Sequence, residues 1–335
     1  MRTFSNILLN KVEDKKMGNI LVTGGKGMLA YAVKQVTKQE PYSKYNFVYV
    51  DIEDADLCDK AQSFDLFDKY KPDGVIHLAA DVGGLFKNMA HGVEMHENNL
   101  LMNMHIMQSC KEYGVQKLVS CLSTCIFPEP SLSSHIKLPL DETMIHNGPP
   151  HPSNQGYAYA KRMIDVQSQY YRRQYNCNFI SLAPTNIFGP NDNFSLESSH
   201  VIPALIRKCR AAMEEDSDFV VLGTGKPLRQ FIYSLDLAQL FLWAFFHYDE
   251  AEPLILAPGE EYEISIGQVA QYIADAFGYK KQLVFDTSYS DGQYKRTVSN
   301  KKLMSRNPDF KFTPIDFAIK ETVDWFKANY HAARL

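Results

Sequence analysis

A short apolar run that leads into a cluster of glycines constrains the fold of this chain more than any other feature. Residues 19–23 read as a strand, and Gly24, Gly25 and Gly27 follow directly before a helical stretch. A strand, glycine turn and helix are typical of a dinucleotide-binding unit, because the missing side chains expose backbone N–H groups and the helix dipole attracts a pyrophosphate. Ala30 replaces the third glycine of the usual pattern and is small enough for close helix–strand packing.

The rest of the N-terminal half alternates strands with helices. Further segments are predicted as strands at 47–51, 74–79, 117–122 and 179–183, and as helices at 60–70, 94–113 and 157–175. Short apolar strands that alternate with helices favour a parallel sheet covered on both faces. We therefore predict an α/β fold with a doubly wound parallel sheet of the Rossmann type.

The pattern changes after Pro190, where a polar stretch precedes helices that are broken by proline and glycine. These helices are predicted at 201–213, 234–247, 266–277 and 314–329. We predict a dinucleotide-binding domain over 18–190 and a smaller C-terminal α/β lobe over 191–335, which binds substrate and returns some chain to the sheet. Residues 1–17 are predicted to be an N-terminal extension, because they are polar and lack the apolar segment of a signal peptide.

Charge and cysteine usage limit the partners and the compartment. The 35 Lys and Arg against 39 Asp and Glu leave a net charge of −4, which argues against a nucleic acid or an anionic membrane as partner. The longest apolar runs, 237–246 and 74–80, are far shorter than the roughly 20 residues that span a bilayer. The six cysteines lack CxxC spacing, so we predict free thiols, a cytoplasmic location and no metal site.

Two residues near the glycine turn give opposing indications of the cofactor. Asp51 ends the second predicted strand, where a carboxylate often binds the ribose 2′-hydroxyl of NAD. Lys26 lies within the turn and could instead pair with the 2′-phosphate of NADP. The turn and the first residues of its helix are the predicted cofactor contacts: Gly24, Gly25, Lys26, Gly27, Met28, Leu29 and Ala30.

Tyr157 and Lys161 open a predicted helix one turn apart, so both side chains project from the same face. A cation beside a phenol lowers the phenol pKa from about 10, which makes the phenol a useful proton donor to an alkoxide near neutral pH. Ser123 follows the fourth predicted strand, at the edge of the sheet where α/β ligand sites lie. We predict these three residues to be a catalytic group.

Ser123, Tyr157 and Lys161, in this order behind the glycine turn, resemble the extended short-chain dehydrogenase/reductase family over nearly the whole chain. In that family the serine and tyrosine hold the substrate oxygen, and the lysine also holds the nicotinamide ribose. Residues 77–80 look like the family segment beside the adenine, and residues 184–190 resemble the loop beside the nicotinamide. The resemblance implies cofactor contacts beyond the turn at Asp51, Asp56, Leu57, Leu78, Ala79, Ala80, Tyr157, Lys161, Pro184, Asn186, Ile187 and His200.

Cys125 and His200 extend the resemblance to one group of enzymes within the family. Cys125 follows Ser123 by two residues, so in an extended segment both side chains would point to one side, and His200 ends a polar loop before a helix. The strings at 123–128, 184–190, 191–194 and 200–203 closely resemble the GDP-sugar 3,5-epimerase-4-reductases of the family. This implies epimerisation and NADPH-dependent 4-reduction of GDP-4-keto-6-deoxy-D-mannose to GDP-L-fucose, with NADPH or NADP favoured over NAD.

The implied chemistry suits a thiol and an imidazole. A C4 ketone acidifies the protons on C3 and C5, so inversion needs a base on one face of the sugar and an acid on the other. Reference pKa values of about 8.5 for cysteine and about 6.5 for histidine lie within reach of neutral pH. The spacing does not fix which group is the base. The resemblance to the family implies that Cys125 is the base and His200 is the acid.

The resemblance also implies where the GDP-sugar binds. Arg229 aligns with a family arginine that contacts the diphosphate, and guanidinium geometry suits phosphate oxygens. Leu222 stands where some relatives carry a tryptophan. Recognition of guanine is implied by the resemblance to the family and does not follow from these residues. The predicted substrate contacts are Ser123, Asn186, Lys208, Leu222, Arg229 and Asp291.

Two predicted helices, 94–113 and 157–175, carry apolar residues on more than one face. Exposed apolar stripes indicate a partner, and in the family these helices form a four-helix dimer interface. The resemblance therefore implies a homodimer, with packing inside one chain as the alternative. The residues concerned are Leu101, Met102, Ile106, Tyr170 and Tyr171.

Two other functions stay open at this point. An NAD-dependent nucleotide-sugar 4-epimerase or dehydratase on the same scaffold is favoured by Asp51 and disfavoured by Cys125 with His200. A 4-epimerase recycles its nicotinamide whereas a reductase consumes it, so stoichiometric loss of NADPH separates the two. A dinucleotide sensor without turnover is disfavoured, because a sensor needs no proton donor beside the nicotinamide.

Overall fold

The computed structural model describes residues 17–132, 135–291 and 293–335, with the side chains of residues 85 and 86 left out. The predicted extension over residues 1–17 lies outside the described residues except for Met17. The strands are β1 (Asn19–Thr23), β2 (Asn46–Val50), β3 (Gly74–His77), β4 (Lys117–Cys121), β5 (Phe179–Pro184), β6 (Asn186–Phe188), β7 (Val220–Leu222), β8 (Leu228–Arg229), β9 (Phe231–Tyr233), β10 (Leu254–Leu256), β11 (Ile264–Ser265) and β12 (Val284–Asp286). The α-helices are α1 (Met28–Val36), α2 (Lys60–Tyr70), α3 (Leu85–Ala90), α4 (Gly92–Glu112), α5 (Gln155–Tyr175), α6 (Val201–Glu214), α7 (Ser234–His247), α8 (Ile266–Phe277), α9 (Lys301–Arg306) and α10 (Ile315–Ala328). Short 3-10 helices lie at Thr124–Ile126, Pro130–Leu132, Glu142–Met144, Pro152–Asn154, Glu260–Tyr262 and Tyr330–Ala332.

Six parallel strands form the central sheet in the order β10-β5-β4-β3-β1-β2. The chain crosses from β1 to β2 on one side and then to β3 on the other, so a topological switch point lies between β1 and β3. Ligands of doubly wound folds bind in the crevice at the carboxyl ends of strands at such a point. The predicted doubly wound parallel sheet of the Rossmann type is confirmed.

The sheet is covered on both faces, and alternate residues of β1 enter different layers. Ile20 and Val22 pack in a layer with α1 and α7, whereas Leu21 packs in a layer with α2, α4 and α5. This alternation follows from the period of two in a strand. Both layers of side chains are buried from solvent, which explains why the strands read as nearly continuous apolar runs.

Residues beyond 190 contribute to both the sheet and a second core. β10 pairs with β5 at the edge of the sheet, and α7 packs against α1. The second core joins α6, α8 and α10 around Phe194, Val269 and Phe326. Three small two-stranded sheets, β11-β8, β12-β7 and β6-β9, complete this region. The division at residues 190 and 191 stays a prediction.

Most predicted elements agree with the structure to within two residues, and β3 shows why the ends differ. The strand was expected to reach residue 79 but ends at His77. The backbone N–H groups of Leu78 and Ala79 donate to Thr23 Oγ1, each at 3.1 Å, instead of to a neighbouring strand. A side chain on β1 therefore ends β3 and turns the following residues towards the glycine turn.

The predicted apolar stripes on α4 and α5 are only partly exposed. Ile106 is fully buried in the core, Met102 packs partly against it, and the Tyr171 ring packs at a tilt against Phe179 with ring centroids 5.3 Å apart. Leu101 is 37% exposed and Tyr170 is 61% exposed. The prediction that Ile106 belongs to an exposed stripe is wrong, because helix periodicity does not distinguish the face against the sheet from a face against solvent.

Across the described part of the chain, no helix combines the length and the apolar character that crossing a membrane requires.

Candidate active site

The glycine turn packs between the ends of β2 and β3. Gly24 has a φ of +69°, and a Cβ at this position would lie 2.9 Å from the backbone nitrogen of Ala79. Its backbone therefore approaches the residues after β3 as only glycine allows. The Gly25 N–H donates to Val50 O at 2.8 Å, which fixes the turn against β2.

The N-terminus of α1 presents unused backbone donors. Gly27 occupies the N-cap position without a side-chain cap, and its own N–H donates to Gly24 O at 2.9 Å. Within the described residues, the N–H groups of Met28, Leu29 and Ala30 donate to no acceptor. Free N–H groups at the positive end of a helix dipole suit a phosphate group. This end of α1 therefore fits the pyrophosphate of a dinucleotide.

Asp51 and Lys26 do not oppose each other as the sequence suggested. Asp51 accepts hydrogen bonds from the Lys26 N–H at 2.7 Å and from the Ile52 N–H at 2.9 Å, so its carboxylate braces the glycine turn. The Lys26 ammonium lies 2.5 Å from the Glu53 carboxylate, and both side chains are well exposed. This pairing raises the pKa of Lys26 and lowers the pKa of Glu53, mainly through their hydrogen bond.

A buried hydrogen-bond chain links β1, β3 and α4 behind the turn. The Thr23 hydroxyl accepts two backbone N–H groups, so its hydrogen is directed to His77 Nδ1 at 2.8 Å. His77 Nε2 then donates to Asn103 Oδ1 at 3.0 Å. Burial, together with the charge of Lys161, lowers the pKa of His77 to about 3, which keeps the imidazole neutral. The chain fixes Leu78 and Ala79 beside Gly24.

The other residues predicted to contact the adenine side form the loop after β2. Asp56 Oδ1 accepts the N–H of Cys58 at 2.9 Å, and Leu57 is buried with its carbonyl accepting from His105 Nδ1 at 3.0 Å. Ala80, two residues after Leu78, is partly buried at the same edge. These residues therefore lie at the carboxyl ends of β2 and β3, around the switch point.

The predicted serine, tyrosine and lysine converge at the carboxyl end of β4. Lys161 is almost fully buried, and its Nζ donates to Cys121 O at 2.9 Å. The same Nζ lies 5.8 Å from the centroid of the Tyr157 ring, as the spacing of one helical turn predicts. Ser123 follows β4 as the N-cap of the 3-10 turn. The three side chains therefore share one end of the sheet.

The pKa of Tyr157 differs from the expectation drawn from its spacing to Lys161. Burial raises the pKa of Tyr157 well above its usual value, with further contributions from Cys125 and Cys121. Burial also lowers the pKa of Lys161. Desolvation by the protein around the half-buried phenol is the largest cause of the shift in the Tyr157 pKa. Tyr157 therefore holds its proton at neutral pH, as a proton donor must.

Cys125 joins this cluster, although in a different conformation from the one assumed. Residues 124–126 form a 3-10 turn, in which the Cys125 N–H donates to Ser123 Oγ at 3.3 Å. The assumption of an extended segment is wrong, because the Ser123 side chain caps a turn instead of continuing the strand. Burial raises the pKa of the Cys125 thiol, while Ser123 and the cations Arg296, Lys161 and Arg162 act to lower it.

His200 reaches the cleft on a separate loop. It occupies the N-cap position of α6, and the surrounding protein lowers its pKa even though its side chain is open to solvent. The loop before it bonds to the glycine turn, through Asn191 Nδ2 to Lys26 O at 3.2 Å, and to the segment after β3, through the Gly84 N–H to Ser198 O at 3.1 Å. Among the described residues, the His200 ring makes no hydrogen bond to the cluster at β4.

The segment predicted to be the loop beside the nicotinamide comprises the last residue of β5, the short strand β6 and the residues that follow it. Pro184 is buried, whereas Asn186 is exposed and donates from Nδ2 to Gln230 O at 2.8 Å. Ile187 is partly buried against the layer of α1 and α7. Gln230 is 1% exposed, and its side-chain amide bonds to Pro258 O and to both backbone groups of Val298. Gln230 thus anchors the loop to the sheet edge and to the C-terminal region.

Three of the predicted substrate contacts lie on one wall of the C-terminal region. Arg229 donates from its terminal nitrogens to Leu228 O and Gln293 O, each at 2.7 Å, which fixes the guanidinium. Asp291 accepts the Thr224 N–H and hydroxyl, each at 2.6 Å, and these bonds lower its pKa. Leu222 is 44% exposed on β7, directly before this turn.

Lys208 lies on α6, which packs against β7. Burial lowers the pKa of Lys208, and within the described residues its ammonium has no hydrogen-bond or ion-pair partner. Nor do the described residues bring three or more His, Cys, Asp or Glu side chains together in a way that could hold a metal ion.

Comparison with known proteins identifies the family. The pattern of the NAD dependent epimerase/dehydratase family matches residues 20–265. A GDP-L-fucose synthase from Dictyostelium discoideum is 52% identical to this chain over 94% of its length and 97% of the relative. The chain belongs to the GDP-L-fucose synthase family within that larger group.

Further members of the GDP-L-fucose synthase family match over nearly their whole length. A probable GDP-L-fucose synthase from Drosophila melanogaster is 47% identical over 95% of this chain and 100% of the relative. The crystal structure of a GDP-L-fucose synthetase from Naegleria fowleri, bound to NADP, superposes with a TM-score of 0.90. It is 49% identical and covers 95% of both chains. The fold described above is thus the fold of this family.

Sequence reasoning missed several residues that shape this site. Arg296 and Arg162 donate to backbone carbonyls of the turn that carries Cys125, and Gln230 anchors the loop after β5. Thr23 was not singled out although it organises the cofactor side. No local spacing signals these residues, since each acts on a segment distant in sequence.

Proposed function

We propose that the chain converts GDP-4-keto-6-deoxy-D-mannose to GDP-L-fucose, by epimerising C3 and C5 and then reducing C4 with NADPH. The observation that carries this proposal is the position of Cys125 within the same cluster as Ser123, Tyr157 and Lys161. The serine, tyrosine and lysine serve carbonyl reduction in general, and the thiol adds the group that epimerisation needs. The 52% identity to the Dictyostelium discoideum synthase supports the same assignment.

The glycine turn and its surroundings fit NADPH. The open N–H groups at the start of α1 match a pyrophosphate. The exposed ion pair between Lys26 and Glu53 contributes little to stability, so Lys26 can exchange Glu53 for the 2′-phosphate. Asp51 braces the turn and so need not bind the ribose. NADPH, when bound, supplies the hydride for C4. The related Naegleria fowleri protein is bound to NADP.

Tyr157 is the proposed proton donor to the C4 oxygen. Because burial keeps the phenol protonated, it can donate as negative charge develops on the oxygen during reduction. Ser123 orients the same oxygen. Lys161 is held by Cys121 O and balances the charge that the phenol would leave behind.

Cys125 and His200 are the proposed pair for epimerisation. We assign Cys125 as the base and His200 as the acid, following the family. The thiol is the harder group to ionise, because burial raises its pKa, so the cations around it matter for this step. Asn191, on the loop that leads to His200, bonds to the glycine turn, which supports a position of His200 near the bound cofactor.

The GDP part of the substrate is proposed to lie along the wall that carries Leu222, Arg229 and Asp291. The bonds to Leu228 O and Gln293 O preorganise the Arg229 guanidinium for phosphate oxygens. Asn186 and Lys208 are proposed to complete this contact from the opposite elements. Ser123 binds the sugar end.

We further propose that two copies associate through α4 and α5. The exposed Leu101 and Tyr170 side chains lie on these helices, which pack against each other within one chain. Light scattering should give twice the 38.2 kDa mass of one chain. The double variant Leu101→Glu with Tyr170→Glu should give the mass of a single chain.

We also place the enzyme in the cytoplasm. All six cysteines of the sequence are free thiols in the structure, and the proposed base Cys125 is one of them. A reducing compartment keeps such a thiol available.

The test is incubation with GDP-4-keto-6-deoxy-D-mannose and each nicotinamide in deuterated water. We expect deuterium at C3 and C5, a GDP-L-fucose product and consumption of one NADPH per product. Cys125→Ser should abolish the exchange, and Cys177→Ser, at a half-buried thiol outside the cluster, should retain it. Reduction without exchange would contradict the epimerase assignment. Interconversion of the C4 epimers of a 4-hydroxy nucleotide sugar without net loss of nicotinamide, together with no reduction of the ketosugar, would instead indicate a 4-epimerase.

A further inference from the structure

One guanidinium from the C-terminal region holds the turn that carries Cys125. Arg296 Nη2 donates to the carbonyl oxygens of Thr124 and Cys125, each at 3.3 Å, and of Phe127 at 3.2 Å. These three acceptors span the whole 3-10 turn. A single cation therefore ties down the backbone on both sides of the thiol.

The backbone that carries Arg296 is itself fixed. Thr297 and Val298, which follow it directly, are buried, and Thr297 O accepts the Leu140 N–H at 2.9 Å. The Val298 N–H donates to Gln230 Oε1 at 2.8 Å. Arg296 thus projects from a rigid segment, so its position relative to the turn is set by the fold.

The charges that face Cys125 are predominantly positive. Arg162, on α5, donates from Nε to Ile126 O at 3.0 Å, and Lys161 lies on the same helix. Tyr157, also on α5, is neutral, as is Ser123 on the turn itself. Burial lowers the pKa of Arg296, whereas Cys125 and the Glu129 carboxylate, two residues past Phe127, act to raise it. A cluster of cations around a thiol favours its thiolate.

Arg296 has an unused donor at this place. Its Nε is buried and has no hydrogen-bond partner among the described residues. An unpaired buried N–H on a cation is unfavourable unless an anion lies nearby. A thiolate at Cys125 would supply negative charge beside the guanidinium. The three carbonyl contacts already place that guanidinium at the turn.

We propose that Arg296 is a positioning residue that holds the Cys125 turn and stabilises the thiolate through which Cys125 acts as base. The proposal rests on the function proposed above. It differs from a structural role alone, because it requires the charge of Arg296 as well as its hydrogen bonds. Nothing in the local sequence around Cys125 indicates a residue 171 positions further along the chain.

The test measures the ionisation of Cys125 directly. The rate of alkylation by iodoacetamide is followed for the Cys125 peptide by mass spectrometry across a pH series, with the Cys177 peptide as internal reference. Arg296→Gln should shift the apparent pKa of Cys125 upward by about one unit and slow its alkylation at pH 7 about tenfold. Arg296→Lys, which restores the charge, should shift it by less than about half a unit.

A matched control separates the local effect from general loss of an arginine. Arg172 also donates to backbone carbonyls, at Phe179 and Asp249, but lies at the far end of α5. Arg172→Gln should leave the pH profile of Cys125 unchanged. Thermal melting and NADPH binding of each variant report folding independently of the thiol.

The outcomes are distinct. A wild-type pH profile in folded Arg296→Gln overturns the proposal, even if exchange at C3 and C5 falls. If Arg296→Gln does not fold, Arg296→Lys decides the question. A rise of a full unit in the apparent pKa of Cys125 in that variant overturns the role of the charge, and an unchanged pH profile of alkylation supports it. If the expected shift occurs but the unmodified enzyme exchanges no deuterium at C3 and C5, the function proposed above fails while the link between Arg296 and the thiol stands.

Discussion

The hydroxyl of Thr23 offers a test of how the cofactor side of the cleft is held together. It accepts the backbone N–H groups of Leu78 and Ala79 and donates to His77, so three hydrogen bonds meet at one oxygen. Thr23→Val removes that oxygen and leaves nearly the same volume. The change therefore isolates the hydrogen bonds without opening a cavity.

The expected loss of stability follows from these partners. Three hydrogen bonds at a net value of about 1 kcal/mol each give about 3 kcal/mol. Water can reach the amides of Leu78 and Ala79, which are partly exposed, whereas His77 is fully buried and would keep an unpaired nitrogen. Over 335 residues the unfolding entropy sums to about 0.7 kcal/mol/K, so Tm should fall by about 4 °C.

Calorimetry without added nucleotide checks this value, and fluorescence titration checks NADPH binding. Binding should weaken, because Ala79 packs against Gly24 at the turn. Thr143→Val is the matched control, since among the described residues that exposed hydroxyl bonds to Asp141 alone, and it should change stability by less than about 0.5 kcal/mol. A Thr23→Val protein that melts within about 1 °C of wild type would refute the reasoning.

Three further predictions concern single groups. Tyr157→Phe should abolish reduction at C4 while NADPH still binds, because only the phenolic proton is lost; full turnover of the ketosugar would exclude that role. Lys26→Ala should weaken NADPH binding about fivefold and leave NADH binding unchanged, as the loss of about 1 kcal/mol predicts, and equal effects on both nucleotides would argue against the 2′-phosphate contact. Burial lowers the pKa of His77 to about 3, so below about pH 6.5 the imidazole binds a proton in the unfolded chain and stays neutral in the folded chain. The contribution of neutral His77 to the free energy of unfolding is therefore complete above about pH 6.5. It is lost as the pH falls towards 3, at about 1.4 kcal/mol per pH unit. A folded His77→Gln variant should therefore show a shallower dependence of Tm on pH over that window.

Features encoded by short spacing could be predicted from the sequence. The glycine turn stands between a strand and a helix as expected, because each part has a local signal in composition or period. The approach of Lys161 to Tyr157 follows from one turn of helix.

Features set by tertiary packing could not be predicted in the same way. The 3-10 turn at Cys125 is three residues long and has no period to detect. The raised pKa of Tyr157 results from enclosure by the rest of the molecule, which its distance from Lys161 in sequence cannot report. The burial of Ile106 depends on which face of α4 meets the sheet. Arg296 reaches the turn that carries Cys125 from a segment far along the chain.

The pairing of β10 with β5, and of α7 with α1, bears on how the polypeptide can be divided. A fragment that stopped at residue 190 would lack the sixth strand and the helix that covers one layer of side chains. Its last strand would present an unpaired edge, and such edges promote association with other chains. Expression of the nucleotide-binding half by itself should therefore yield aggregates, so studies of its binding properties require the later residues as well.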